Sequence, residues 1–193
     1  LGDIILPMAH TPHDTPRRRV EKNAFELLGL PIAYNLEPAV VNRAFLRRSA
    51  QLHPDRTLAA AENLDDSTEL SAAKACLLDD EQRAIAVIAA WGGPGASENK
   101  SLPPGLLAEM LEVRETMEVE IGENAGDAEE ARARWRAWAG ARRQEYKSSI
   151  GALLNSYEAG SDPQLLAGAR VQLNAWRYIE RMLEQLDPMY RLE

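Results

Sequence analysis

One cysteine, Cys76, is the entire thiol complement of this 193-residue chain. That count excludes an intramolecular disulfide and every metal or iron–sulfur site assembled from several thiolates. Only three histidines are present, His10, His13 and His53, so a complete zinc site would have to lean on carboxylates. Aromatic residues make up 6% of the chain, and Ile and Val are sparse as well. No segment shows the apolar alternation of a half-buried strand. Apolar runs are short of the roughly 20 residues that cross a bilayer, so no membrane partner is expected. A basic excess is missing too: 22 Lys and Arg stand against 30 Asp and Glu, a formal net charge of −8. Phosphate binding relies on the opposite balance, which argues against nucleic acid as the main ligand. No nucleophile motif, phosphate-cradling loop or metal cluster is recognisable, and neither enzyme chemistry nor a cofactor is expected.

What is present points to helix. Hydrophobic residues reach 45% and charged residues 27%, enough to bury a core and keep the surface solvated, in one large or two small domains. Ala, Leu, Glu, Arg and Gln dominate, which predicts an all-α fold. Residues 1–22 read as a tail, because Pro7, Pro12 and Pro16 interrupt helical hydrogen bonding and Arg17–Arg19 form a solvated run. Asp3 and Asp14 weigh against a targeting peptide, and His10 and His13 read as loop residues. The chain opens on Leu1 rather than Met, which leaves room for a natural start upstream.

Helix signals follow in order. Asn23 with Glu26 has the spacing of a capping box, and Gly29 with Pro31 closes that short helix. Pro38 suits a first helical position, and Val41, Phe45 and Leu52 share one face of a helix that Pro54 stops. A third helix is expected over about Ala59 to Leu78, with Leu64, Leu70, Ala73 and Leu77 apolar. Asp79-Asp80 open a fourth, which Ile85, Ile88 and Ala89 carry to Trp91. Residues 92–105 hold four glycines and three prolines and mark a linker between two domains, 23–91 and 106–193. Beyond it, helices are expected over Leu106–Ile121, from Asp127 to about Tyr157, and after Asp162-Pro163; short connections make them an antiparallel three-helix bundle.

The most informative string is Leu52-His53-Pro54-Asp55-Arg56, directly after a helix bearing Arg43, Arg47 and Arg48. Read alone, it is a helix stop with a local Asp turn, or a His–Asp pair lacking a neighbouring nucleophile. Its context is more specific. A short helix, a basic amphipathic helix, the His-Pro-Asp loop and a longer helix ending in Asp79-Asp80-Glu81-Gln82-Arg83-Ala84 resemble the J-domain of DnaJ-type co-chaperones. The stretch FLRRSAQLHPDR, Phe45 to Arg56, lies close to that family's pattern. The resemblance implies docking on a DnaK/HscA-type ATPase chaperone through His53, Pro54, Asp55, Arg43, Arg47 and Arg56, and stimulation of its ATP hydrolysis. Four arginines and one aspartate between Val41 and Leu58 suit such a role, since local positive charge steers toward acidic partners. The pattern departs at Leu52 and Lys74, where aromatics are common, at Arg48, often apolar, and at Asp80, often proline.

The second half narrows the likeness. In LLAEMLEVRETMEVEI, residues Leu106, Met110, Val113, Met117 and Ile121 form a core stripe. Leu107 and Leu111 fall beside it, with Glu112 and Glu115 next to them. Periodicity leaves two readings open: a wide core face, or an exposed apolar strip rimmed by carboxylates that suits protein binding. Together with Trp176-Arg177-Tyr178-Ile179-Glu180-Arg181-Met182 in the last helix, this half is similar to the HscB family, J-proteins of iron–sulfur cluster assembly. The likeness runs from about Asn23 to Leu186, with Ala108 and Val119 replacing a larger apolar and an acidic residue. It implies that the bundle binds an IscU-type scaffold protein through Leu107, Leu111, Glu112, Glu115 and Tyr178, and that the chain itself holds no cluster. It favours bacterial cytoplasm, with the mitochondrial matrix as the other setting. A J-protein with an unrelated client and a helical adapter or oligomerisation module are the competing classes.

Overall fold

The computed structural model of the chain describes residues 22–51, 60–122 and 128–186. Among them are seven helices and no strand, the all-α fold expected. The first four are α1 (Ala24–Leu28), α2 (Pro38–Gln51), α3 (Ala60–Leu78) and α4 (Asp80–Ala90). After the Gly/Pro-rich segment come α5 (Leu106–Gly122), α6 (Ala128–Gly160) and α7 (Pro163–Leu186).

The helix ends follow local chemistry. The Asn23 side chain accepts from the Glu26 N–H at 2.9 Å, while its amide donates back to the Glu26 carboxylate at 3.0 Å. Gly29 leaves α1 at φ 65°, a left-handed conformation that costs glycine no Cβ clash. Asp79 accepts from the Gln82 N–H at 2.8 Å to start α4, and Asp162 accepts from the Gln164 N–H at 2.9 Å to start α7. With only Ser161 and Asp162 between them, α6 and α7 form a hairpin. Its register is antiparallel: Arg143 meets Glu180, and Leu153 packs on Gly168. Glu109 pairs with Arg142 and Glu120 with Trp135, so α5 runs antiparallel to α6 as well.

Two cores organise the molecule. The larger gathers Phe25, Leu28, Val41, Leu70, Leu77, Val87 and Ile88 of α1–α4 together with Ile150 and Leu154 of α6 and Leu166, Leu173 and Trp176 of α7. The smaller lies at the other end of the bundle, with Leu106, Met110 and Met117 of α5 against Ala139, Ile179 and Leu183. Complete burial of a Leu, Ile or Phe contributes about 1.5–3 kcal/mol. Five large bundle side chains in the larger core therefore bind the N-terminal helices to α6 and α7 with packing of the kind found within a domain. The segment between the halves is anchored as well. A Cβ on Gly93 would lie 2.8 Å from Ile88 Cγ2 and 2.9 Å from Leu166 Cβ, so glycine lets the chain pass between α4 and α7. Further on, the Asn174 amide donates to the carbonyls of Asn99 and Ser101, each at 3.0 Å.

Most of the apolar stripes emerge where periodicity puts them: Leu70, Ala73 and Leu77 in α3, and Leu106, Met110 and Met117 in α5; in α7 the helical spacing of Leu166, Ala169, Leu173, Trp176 and Leu183 predicts a core stripe, and all five are buried. Two stripes differ. The inner face of α4 is Ala84, Val87 and Ile88, with Ile85 half-buried and Ala89 exposed, because α4 packs against both α3 and α7. In α6 helical spacing points to Trp135, Trp138, Tyr146, Ile150, Leu153 and Tyr157 as the stripe; Ile150 is fully covered, but the other five are half-buried, and Ala131, Ala139 and Leu154 are covered in their place. Small residues occupy the crossing with α5 and α7, and the aromatics pack along its rim.

Candidate functional site: two exposed helix faces

The first face belongs to α2. Val41 and Ala44 turn inward, and Phe45 is half-buried with the Lys74 ammonium 4.8 Å from its ring centroid. A cation over an aromatic face is attracted to it, so Lys74 of α3 helps hold Phe45 of α2 in place. Arg48 also turns inward, its guanidinium lying over the αL turn at Gly29, where an added Cβ would stand 2.8 Å from Nη2. Arg43 and Arg47 remain exposed, four residues apart on the outer face, with no ion-pair partner among the described residues. Between them Leu46 is 65% exposed, a residue sequence reasoning missed. Its signal was available: Leu46 lies five residues from Val41, far out of phase with the core stripe. His53, Pro54, Asp55 and Arg56 lie outside the described residues.

The second face belongs to α5. Met110 and Met117 are fully buried, yet Leu107 is 57% and Leu111 59% exposed. Of the two readings the sequence left open, the exposed strip is the one observed. Glu112 and Glu115 are exposed beside it, and Val119, 53% exposed, continues the row of positions 107, 111, 115 and 119 at intervals of one helical turn. Tyr178 of α7 is 39% exposed and lies near Arg114 of α5. Single exposed leucines are ordinary, but apolar residues aligned along one helix and edged by carboxylates form a patch. The patch is firmly supported. The Glu109–Arg142 pair ties α5 to α6, and Trp135 Nε1 donates to Glu120 at 2.9 Å. Behind Tyr178, Arg143 holds the buried Glu180 through two bonds of 2.7 and 3.0 Å, and Trp176 Nε1 adds a third at 2.9 Å.

A polar joint fixes the two halves of the molecule, and with them the two faces. Buried Arg83 donates to the carbonyls of Tyr34 at 2.7 Å and Leu77 at 2.6 Å, and pairs with Asp80. Asp80 also pairs with Lys147 of α6. Arg177 of α7 meets Glu81 at 2.9 Å, and Asn35 donates to Asn155 at 3.3 Å. Partial burial works to raise the Asp80 pKa, but hydrogen bonds and charge from Lys147 and Arg83 outweigh it, and the carboxyl is held below its ordinary value. Cys76 is half-buried near the Gln82 carbonyl, and burial, followed by the charge of Asp79, pushes its thiol up. A raised thiol is a poor nucleophile and ligand at neutral pH. Among the described residues no three His, Cys, Asp or Glu side chains are grouped to hold a metal ion, and no helix is long and apolar enough to cross a membrane.

No family model matches the chain. It is 28% identical over 168 residues to a co-chaperone protein HscB homologue of Burkholderia mallei, an alignment covering 84% of this chain and 90% of that protein. To the HscB homologue of Vibrio cholerae it is 29% identical over 102 residues, covering 50% of this chain and 60% of the relative's length. Among solved structures, the chaperone HscB from Vibrio cholerae superposes with a TM-score of 0.65 at 22% identity, over 87% of this chain and 97% of that one. Over most of its length the chain is thus similar in sequence to HscB co-chaperone homologues, and in fold to a solved HscB structure.

Proposed function

We propose that the protein is a co-chaperone that stimulates the ATPase of a DnaK/HscA-type chaperone and delivers to it an IscU-type scaffold for iron–sulfur clusters. The observation that carries this reading is the exposure of Leu107, Leu111 and Tyr178, edged by Glu112 and Glu115, on a bundle whose other apolar positions are largely covered. An apolar centre within a charged rim is the anatomy of a protein-binding surface. In this reading residues 23–91 are the chaperone-facing domain and 106–193 the client-facing bundle, joined by 92–105.

Arg43 and Arg47 would meet acidic residues of the chaperone and guide its approach, while His53, Pro54, Asp55 and Arg56 engage its ATPase machinery. The co-chaperone has no need of a nucleotide, cluster or metal of its own, because hydrolysis takes place in its partner. The shared core and the Asp80–Lys147 joint support transfer, since a client on α5 is presented at a set position relative to α2. The bacterial relatives favour a cytoplasmic setting.

The test is steady-state ATPase of the chaperone with and without the full chain and the scaffold. Stimulation is expected from wild type, further enhancement with scaffold, and none from Asp55→Asn. Equal stimulation by wild type and Asp55→Asn would overturn the mechanism.

A further inference from the structure

Where the Gly/Pro-rich segment crosses α7, Lys100, Arg170, Asn174, Arg177, Tyr178 and Arg181 line a pocket of about 290 Å³. Four cations thus converge on one cavity of a protein whose formal net charge is −8. Among the described residues, Arg177 alone of the four has an ion-pair partner, Glu81 at 2.9 Å. Arg170 is 2% exposed, and its one hydrogen bond among them runs from Nε to Asn174 Oδ1 at 3.0 Å. Burial, then the charge of Arg177, holds the Arg170 pKa below its ordinary value, with the Glu81 carboxylate offsetting only part of this. A guanidinium carries five donors in a planar fork that matches a carboxylate, so most of its donor capacity is unused by the chain. The pocket is also rigidly framed, because Asn174 simultaneously holds the Asn99 and Ser101 carbonyls.

Tyr178 lines this pocket, is 39% exposed and lies near Arg114 on the outer side of α5, which places the pocket on the side of α7 that faces the strip's helix. We propose that the pocket is a carboxylate-binding subsite, receiving an acidic side chain of the client held on the α5 face. This rests on the client reading above and adds polarity to it. Glu112 and Glu115, exposed beside the α5 leucines, select for basic groups; Lys100, Arg170 and Arg181, which line the pocket with Tyr178, select for acidic ones. A client with the reversed arrangement meets like charge at both, so the pair fixes which way round the client lies.

The experiment uses the full chain and a purified IscU-type scaffold, with affinity measured by calorimetry over a salt series. Lys100→Glu with Arg181→Glu alters two exposed side chains, and an unchanged circular-dichroism melt checks the fold. Wild type is expected to bind, and the double variant at least tenfold more weakly with a flatter salt dependence; Leu107→Ala should weaken binding at an unchanged salt slope. In parallel, the Arg170 Nε–H resonance should shift on adding scaffold and stay in place in millimolar inorganic phosphate. Equal binding by wild type and the double variant overturns the subsite while leaving the client reading intact. Absence of binding by wild type overturns the client reading and the subsite together. A resonance that moves with phosphate and not with scaffold marks a site for free oxyanions and overturns the carboxylate assignment.

Discussion

The outward faces of α2 and α5 solve opposite problems on one scaffold. On α2, Arg43 and Arg47 flank a single exposed leucine; on α5, two leucines and a valine run along the helix with carboxylates beside them. The first is mainly electrostatic and suits fast, salt-sensitive encounter. The second is mainly apolar and suits a longer-lived complex whose strength lies in a few desolvated anchors. In the proposed function, a carrier that keeps its cargo while meeting an ATPase transiently would need that inequality. The overall charge conceals it, because both signs are spread through the sequence and only the fold sorts them.

The sharpest way to break the comparison is to silence one face and watch the other. Asp55→Asn should reduce chaperone ATPase stimulation to background and leave scaffold affinity unchanged in calorimetry; a parallel loss of affinity would mean the faces are not independent. Next in size, Leu107→Ala with Leu111→Ala should weaken scaffold binding roughly a hundredfold, each anchor being worth about 1–2 kcal/mol. Stimulation without scaffold should persist, and thermal stability should move by less than about 0.5 kcal/mol, since both side chains are exposed. Leu173→Ala, by contrast, empties a fully buried position of the shared core and should cost about 2–5 kcal/mol in denaturant unfolding. A large stability loss from the Leu107/Leu111 pair would show that the strip belongs to the core after all. Smaller again, Arg43→Glu with Arg47→Glu should slow chaperone association several-fold at low salt and much less near 0.5 M, where the Debye length is only about 4 Å. A salt-independent effect would contradict a steering role.

Much of this architecture is legible in the sequence, because helix ends and stripes are local. Asn23, Asp79 and Asp162 each cap the helix they announce, and the five-residue stripe of α7 is fully buried. What resists reading is set by neighbours distant in sequence. Periodicity could not separate a wide core face from an exposed strip at Leu107 and Leu111, since no pattern in α5 says whether a further helix covers it. The small-residue seam of α6 escapes notice because aromatics dominate a helical stripe by eye, whereas close crossings select alanine. Nor does spacing reveal that Arg170, inside an apolar stripe, faces a pocket completed by Lys100, or that the Gly/Pro-rich segment is bonded to Asn174. Leu46 was within reach, as an apolar residue out of phase with its own helix.

The finest test concerns the joint that holds the two faces in register. Asp80 receives both Arg83 from its own helix and Lys147 from α6, so its carboxylate bridges the halves of the molecule. Partial burial opposes its ionisation, but the hydrogen bonds and positive charge of Lys147 and Arg83 prevail, leaving the folded-state pKa below the ordinary value of 3.8. A depressed carboxyl stabilises the fold above its unfolded pKa, and that contribution disappears as pH falls through the lower folded value. Asp80→Asn should therefore cost about 1–2 kcal/mol at pH 7, in the range of charge-assisted hydrogen bonds. The gap to wild type should stay constant down to about pH 5 and close progressively below 3.8 as the wild-type carboxyl protonates. Urea unfolding of both proteins over that range measures it, and a gap that widens in acid would reverse the sign. Because Asp80 touches neither exposed face, the substitution should leave scaffold affinity unaltered while reducing scaffold-enhanced ATPase stimulation slightly, separating the strength of each face from the geometry between them.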